Sequence, residues 1–150
     1  MILRSCKDTD KRFIVNSFTN SYVNDCLRKS IYAPGFFRMV PWAVFKKFYF
    51  DFFLSLIDQV DVVVACPESD EDSILGWIAY DKDGIFYAYV KELYRYNKVA
   101  EALCGKAIGS SNKVDVYFTT PSGKKLMKYL EAGNDDLKFV QQYSLRKYAQ

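Results

Sequence analysis

Residues 91–98 join an apolar strand, 85–90, to a helix that reads from 99 to 108. The first N–H groups of a helix have no partner inside it, so a strand, a short loop and a helix N-terminus make a generic anion site. The chain has no histidine. That removes histidine-based triads, most zinc sites and the usual neutral-pH proton shuttle. Acid–base chemistry is left to Asp, Glu, Tyr, Lys, a thiol, water or the backbone. The cysteines, Cys6, Cys26, Cys66 and Cys104, show no CxxC spacing, so no metal site is expected and they read as reduced thiols of an intracellular protein. Lys124, Lys125 and Lys128 crowd one helix, where a solvated face accounts for them.

The elements that must position this loop are legible from pattern. Half of the 150 residues are hydrophobic and 17% are aromatic, which suits a single domain, 1–150, with a sizeable core. Basic and acidic residues number 21 and 18, too balanced for an electrostatic nucleic-acid binder. The start, MILRSCKDTDKR, lacks a continuous apolar segment, so no signal peptide is expected. The apolar stretch 42–57 is interrupted by Lys46, Lys47 and Asp51 and is too short to span a bilayer.

A short strand at 1–5 precedes a helix over 11–27, which Asp8 or Asp10 can cap and whose stripe is Ile14, Phe18 and Tyr22. A loop over 30–40 carries Phe36 and Phe37. Pro41 suits the first turn of a helix running to about 58. That helix has apolar residues beyond one stripe, which implies burial on two sides or a second contact such as a partner. Strands follow at 60–66, 74–80 and 85–90, the last two a hairpin turning at 81–84. After the helix at 99–108 come a strand over 114–120, a helix over 121–132 closed by Gly133, and a strand over 137–145. The order β-α-α-β-β-β-α-β-α-β predicts an α+β domain with a mixed, mostly antiparallel sheet flanked by about four helices. One β-α-β crossover is expected to supply a parallel pair.

That order, with DKRFIVNSFTNSY, VVVACPESDEDSILGWIAYD and YVKELYRYNKVAEAL as the local likenesses, resembles the GNAT superfamily of acetyl-CoA-dependent acyltransferases. Small phage-encoded members are the most similar in character, and the likeness covers about 10–132. The family's cofactor motif is Arg or Gln, two variable residues, Gly, one variable residue, then Gly or Ala. It falls on Arg95, Tyr96, Asn97, Lys98, Val99 and Ala100. Arg95 and Ala100 match, and Lys98 replaces the central glycine. Glycine there lets backbone N–H groups approach the pyrophosphate of coenzyme A closely, whereas a lysine side chain either crowds that approach or adds a cation.

The resemblance further implies that Tyr89, Val90 and Lys91 hold the pantetheine arm through a splayed strand edge. It implies that Tyr129 protonates the departing thiolate and offers Glu92 as a base; beside Lys91, Glu92 also reads as one half of a solvated loop pair. The implied activity is acetyl transfer from acetyl-CoA to the amine of an unspecified acceptor, in a host cytoplasm, with no metal. The alternative is a catalytically inactive GNAT-fold phage protein. It would be a virion component, a homo-oligomer or a binder of a host protein through Phe36, Phe37 and the 41–58 helix.

Overall fold

Val62, Val63 and Val64 lie in a strand whose β-branched side chains pack on both faces, and five of its six residues are buried. That strand, β2 (Asp61–Cys66), is an interior strand, second from one edge, of a six-stranded sheet. The others are β1 (Ile2–Ser5), β3 (Gly76–Tyr80), β4 (Gly84–Val90), β5 (Lys113–Val116) and β6 (Lys138–Gln141), and they lie side by side in chain order. The helices are α1 (Lys11–Phe18), continued as a π-helix over Thr19–Leu27, then α2 (Trp42–Ile57), α3 (Val99–Ile108) and α4 (Pro121–Ala132). The structure is a computed structural model and describes residues 1–28, 40–95 and 97–142. Phe36, Phe37, Tyr96 and the end of the strand expected over 137–145 lie outside the described residues.

The protein is α+β, and its sheet is mixed and mostly antiparallel. β1 to β4 pair antiparallel, whereas β4–β5 and β5–β6 are both parallel. The sequence predicts one parallel pair; there are two, because α4 carries the chain back so that β6 runs alongside β5. The chain packs as two compact units, residues 1–6 with 60–150, and residues 7–59. The helical unit is thus inserted in the chain between β1 and β2.

In the helical unit, Phe18 stacks on Phe53 with ring centroids 3.9 Å apart, and Phe18, Ile14 and Val23 are fully buried. Asp10 stands at the N-cap of α1 but makes no side-chain cap to it; its Oδ2 instead accepts the Lys7 N–H at 2.7 Å, closing the 3₁₀ turn over Asp8–Asp10. Past Phe18 the helix widens. The hydroxyls of Ser17, Thr19 and Ser21 bond to the carbonyls of Ile14, Val15 and Ser17. Such bonds compete with the backbone ladder, and by Arg28 the N–H reaches back five residues to Val23. The Arg28 guanidinium lies 4.5 Å from the centre of the Trp42 ring, a cation–π contact that ties the end of this helix to the start of α2. Burial pushes the Tyr22 phenol up to about 12 and raises that of Tyr49 as well.

In the sheet unit, one face gathers Val63, Ile78, Ile85 and Val90 with Leu103 and Cys104 of α3. Leu126 and Leu130 of α4 pack against the same cluster. The opposite face carries Trp77, which is fully buried with Tyr87 and Tyr89 beside it. Gly76 and Gly84 are where backbones come closest. A β-carbon on Gly76 would sit 2.5 Å from the Tyr89 carbonyl oxygen, and one on Gly84 would overlap the Asp115 carbonyl.

Candidate functional site: the β4–β5 cleft

β4 begins at the turn 81–84, where Asp81 accepts the N–H groups of Asp83 and Gly84. Two residues later it bulges. Ala79 faces Tyr87 but Tyr80 faces Ile85, so Phe86 is an extra residue without a partner on β3. A bulge breaks the strict alternation of side chains. Ile85 and Ala88, three residues apart, consequently join the same hydrophobic cluster. Phe86 itself is fully buried and stacks on Tyr117, with centroids 4.9 Å apart.

β4 and β5 stay together only at this end. Gly84 and Ile85 pair with Asp115 and Val116. Tyr117 and Phe118 then donate to the carbonyls of Ile85 and Phe86, both at 3.0 Å. No pairing with β5 is recorded for Tyr87 to Val90, and the strands part into a V with Gly84 at its vertex. The cleft between them has a volume of about 430 Å³ including its open mouth. Tyr87 and Ala88 line it from β4, and Phe118, Thr119 and Thr120 from the segment after β5. Cys104 of α3, Gly123, Leu126 and Met127 of α4, and Phe139 of β6 complete it.

The ladder fixes which backbone groups face the cleft. Lys91 donates its N–H to the Leu75 carbonyl, so by alternation Tyr89 and Tyr87 also bond toward β3. Ala88 and Val90 therefore turn their N–H and C=O groups to the β5 side. Tyr89 and Lys91, which the sequence assigns to the pantetheine edge with Val90, have their backbones committed to β3; the edge belongs to Ala88 and Val90. The Val90 carbonyl is itself occupied, because the Arg95 Nε–H donates to it at 3.2 Å. That bond brings exposed Arg95 back against the end of β4.

After a single 3₁₀ turn, Glu92–Tyr94, the chain enters α3 through Lys98, whose φ is 61° and ψ 12°. Among the described residues it is the one non-glycine with positive φ. A left-handed conformation costs an L-residue roughly 1–2 kcal/mol. The backbone thus has the conformation that favours glycine, although the side chain is lysine. No side chain caps α3 at this position. Asn97 and Lys98 are exposed, Ala100 is half-buried, and Val99 is buried in the core cluster.

The remaining expected residues lie apart from the cleft. Tyr129 is 64% exposed and does not line it. The face of α4 that turns inward is 123, 126, 127 and 130, and 129 falls outside that arc at 100° per residue. Glu92 is exposed in the 3₁₀ turn. The cleft holds no carboxylate, and its thiol, Cys104, is pushed up to about 12 by burial. The threonine hydroxyls are engaged: Thr119 donates to Gln141 at 2.7 Å, and Thr120 caps α4 by accepting the Gly123 N–H. What the cleft offers is an apolar wall and the backbone edge of Ala88 and Val90.

Sequence reading passed over these lining residues because they come from five elements, β4, β5, α3, α4 and β6, and from the segment after β5. The available signal was the Thr119-Thr120-Pro121 helix start, which places α4 directly after β5. Among the described residues no cluster of three or more His, Cys, Asp or Glu could hold a metal ion, and no helix is long and apolar enough to cross a membrane. The chain matches no protein-family model and no curated protein.

Proposed function

We propose that the sheet unit is a GNAT-like acyltransferase domain that binds acetyl-CoA along β4 and transfers the acetyl group to an amine. The observation that carries this reading is the parting of β4 and β5 after Phe86, which leaves the edge of Ala88 and Val90 without a strand partner among the described residues. An extended amide arm such as pantetheine can add to such an edge as a further strand would. The left-handed Lys98 and the start of α3 follow directly, where N–H groups suit a pyrophosphate. Arg95, held against Val90, supplies a guanidinium to the same phosphates.

In the transfer, the lone pair of a neutral amine attacks the thioester carbonyl carbon. A backbone N–H of the β4 edge receives the developing oxyanion. The C–S bond then breaks with its electron pair leaving on sulfur; the thiolate takes one proton, and the nitrogen releases one. With Tyr129 on the outer side of α4, water carries both protons.

Isothermal titration of the full chain with acetyl-CoA tests the reading. A micromolar Kd is expected, and Arg95→Ala is expected to weaken it at least tenfold, roughly the 1.4 kcal/mol of one charge-assisted contact. Absence of binding at millimolar acetyl-CoA would sink the proposal.

A second reading is favoured by α2. Val44 is 59% and Phe48 63% exposed, one turn apart, and Leu54 is exposed as well. Phe48 packs edge-on to Tyr49 and offset over Phe52 of the same helix. In this reading the protein is a non-catalytic GNAT-fold phage product that docks a virion or host protein through α2. Phe48→Glu is then expected to abolish capture of that partner, or self-association in sedimentation, while acetyl-CoA binding is absent from the parent chain. A parent that binds acetyl-CoA and is monomeric would count against it.

A further inference from the structure

The cleft's chemistry points to an acyl group longer than acetyl. We infer that the β4–β5 cleft accepts a medium-chain acyl group, four to eight carbons, of a coenzyme A thioester. This rests on the cofactor reading above and names the substrate class of the same site. An acetyl group needs room for one methyl beyond the carbonyl. Besides the β4 edge, the cleft is lined by Cys104 of α3, Leu126 and Met127 of α4, and Phe139 of β6. These are apolar or, for Cys104, a buried protonated thiol. The hydroxyls of Thr119 and Thr120 are already bonded to Gln141 and Gly123. The wall formed by Cys104, Leu126, Met127 and Phe139 therefore gains from an apolar guest. Filling with water is the poorer alternative, since a retained water needs two to four polar partners.

Titration of the full chain with hexanoyl-CoA and acetyl-CoA in parallel tests the inference. Hexanoyl-CoA is expected to bind at least tenfold more tightly. Met127 is half-buried, so Met127→Trp can fill the cleft without entering the packed core, and it is expected to cut the preference to less than twofold. Met127→Ala guards against a misfolded tryptophan variant: it lengthens the cleft and is expected to move the preference from hexanoyl to octanoyl. Equal affinities for hexanoyl- and acetyl-CoA, with binding measurable, overturn the medium-chain inference and leave the cofactor reading standing. A preference that neither Met127 variant alters places the chain elsewhere and also overturns it. Failure of both thioesters to bind overturns the two readings together.

Discussion

Gly84→Val is expected to destabilise the sheet unit by about 1–3 kcal/mol, the range for forcing atoms into a packed site. Valine is a better strand residue than glycine, so propensity alone predicts the opposite sign. The loss comes from the vertex of the V. A β-carbon at Gly84 overlaps the Asp115 carbonyl, and the obstructing atoms are backbone, which cannot swing aside as a side chain could. Relief requires β4 and β5 to separate where they are joined, at the cost of the bonds from Tyr117 to Ile85 and from Phe118 to Phe86. Urea unfolding checks it in a Trp42→Phe background. With only two tryptophans in the chain, Trp77 then reports the sheet unit alone. A fall in midpoint with unchanged slope is the expected signature. Gly105→Ala is the control. That glycine sits inside α3 with nothing within 4 Å of its would-be β-carbon, so alanine there stabilises by roughly 0.5–1 kcal/mol. If Gly84→Val behaves like Gly105→Ala, the vertex is not tight.

Among the described residues, the chain order of the strands and of the four α-helices was legible because each rests on local pattern, whereas the 3₁₀ turns and the π-helical continuation of α1 were not read. Val62–Val64, the hairpin turn ending in Gly84 and the Pro121 start of α4 each announce themselves within a few residues. What was not legible depends on pairing between distant residues. The bulge at Phe86 is invisible in IFYAYV, since an apolar run gives no parity to break. The assignment of Tyr89 and Lys91, beside Val90, to the cleft edge missed on that account: strand register decides which backbones point outward, and register is set by β3. Tyr129 illustrates a different limit. Its sequence neighbourhood fits a catalytic phenol, but helix phase, fixed by Leu126 and Leu130 packing on the core cluster, turns it to the surface. Lys98 is the converse: its φ of 61° is a backbone conformation that favours glycine, and nothing in the lysine side chain announces it.

Phe86→Ala is expected to carry the largest cost, about 3–5 kcal/mol, as for other fully buried phenylalanines. The ring is 0% exposed, stacked on Tyr117 and located at the extra residue of the bulge. More than cavity formation is at stake. The bulge holds the strand one residue out of regular register, and a slip of one residue exchanges the two faces of a strand. The stack on Tyr117 anchors the extra residue to the segment after β5, so Phe86 both pins the register of β4 and holds the closed arm of the V. Removal of the ring is therefore expected to lower the protection of the Tyr87, Tyr89 and Lys91 amides, which bond to β3, in hydrogen exchange more than that of β2, and to weaken any ligand bound along the β4 edge. Phe86→Leu, which keeps an apolar side chain in the site, is expected to lose less stability and to retain the exchange pattern. A cost under about 1 kcal/mol for the alanine variant, with β4 and β2 exchanging alike, would show that the hairpin turn alone sets the register. The β4 edge would then owe its orientation to Gly84 and not to the buried ring.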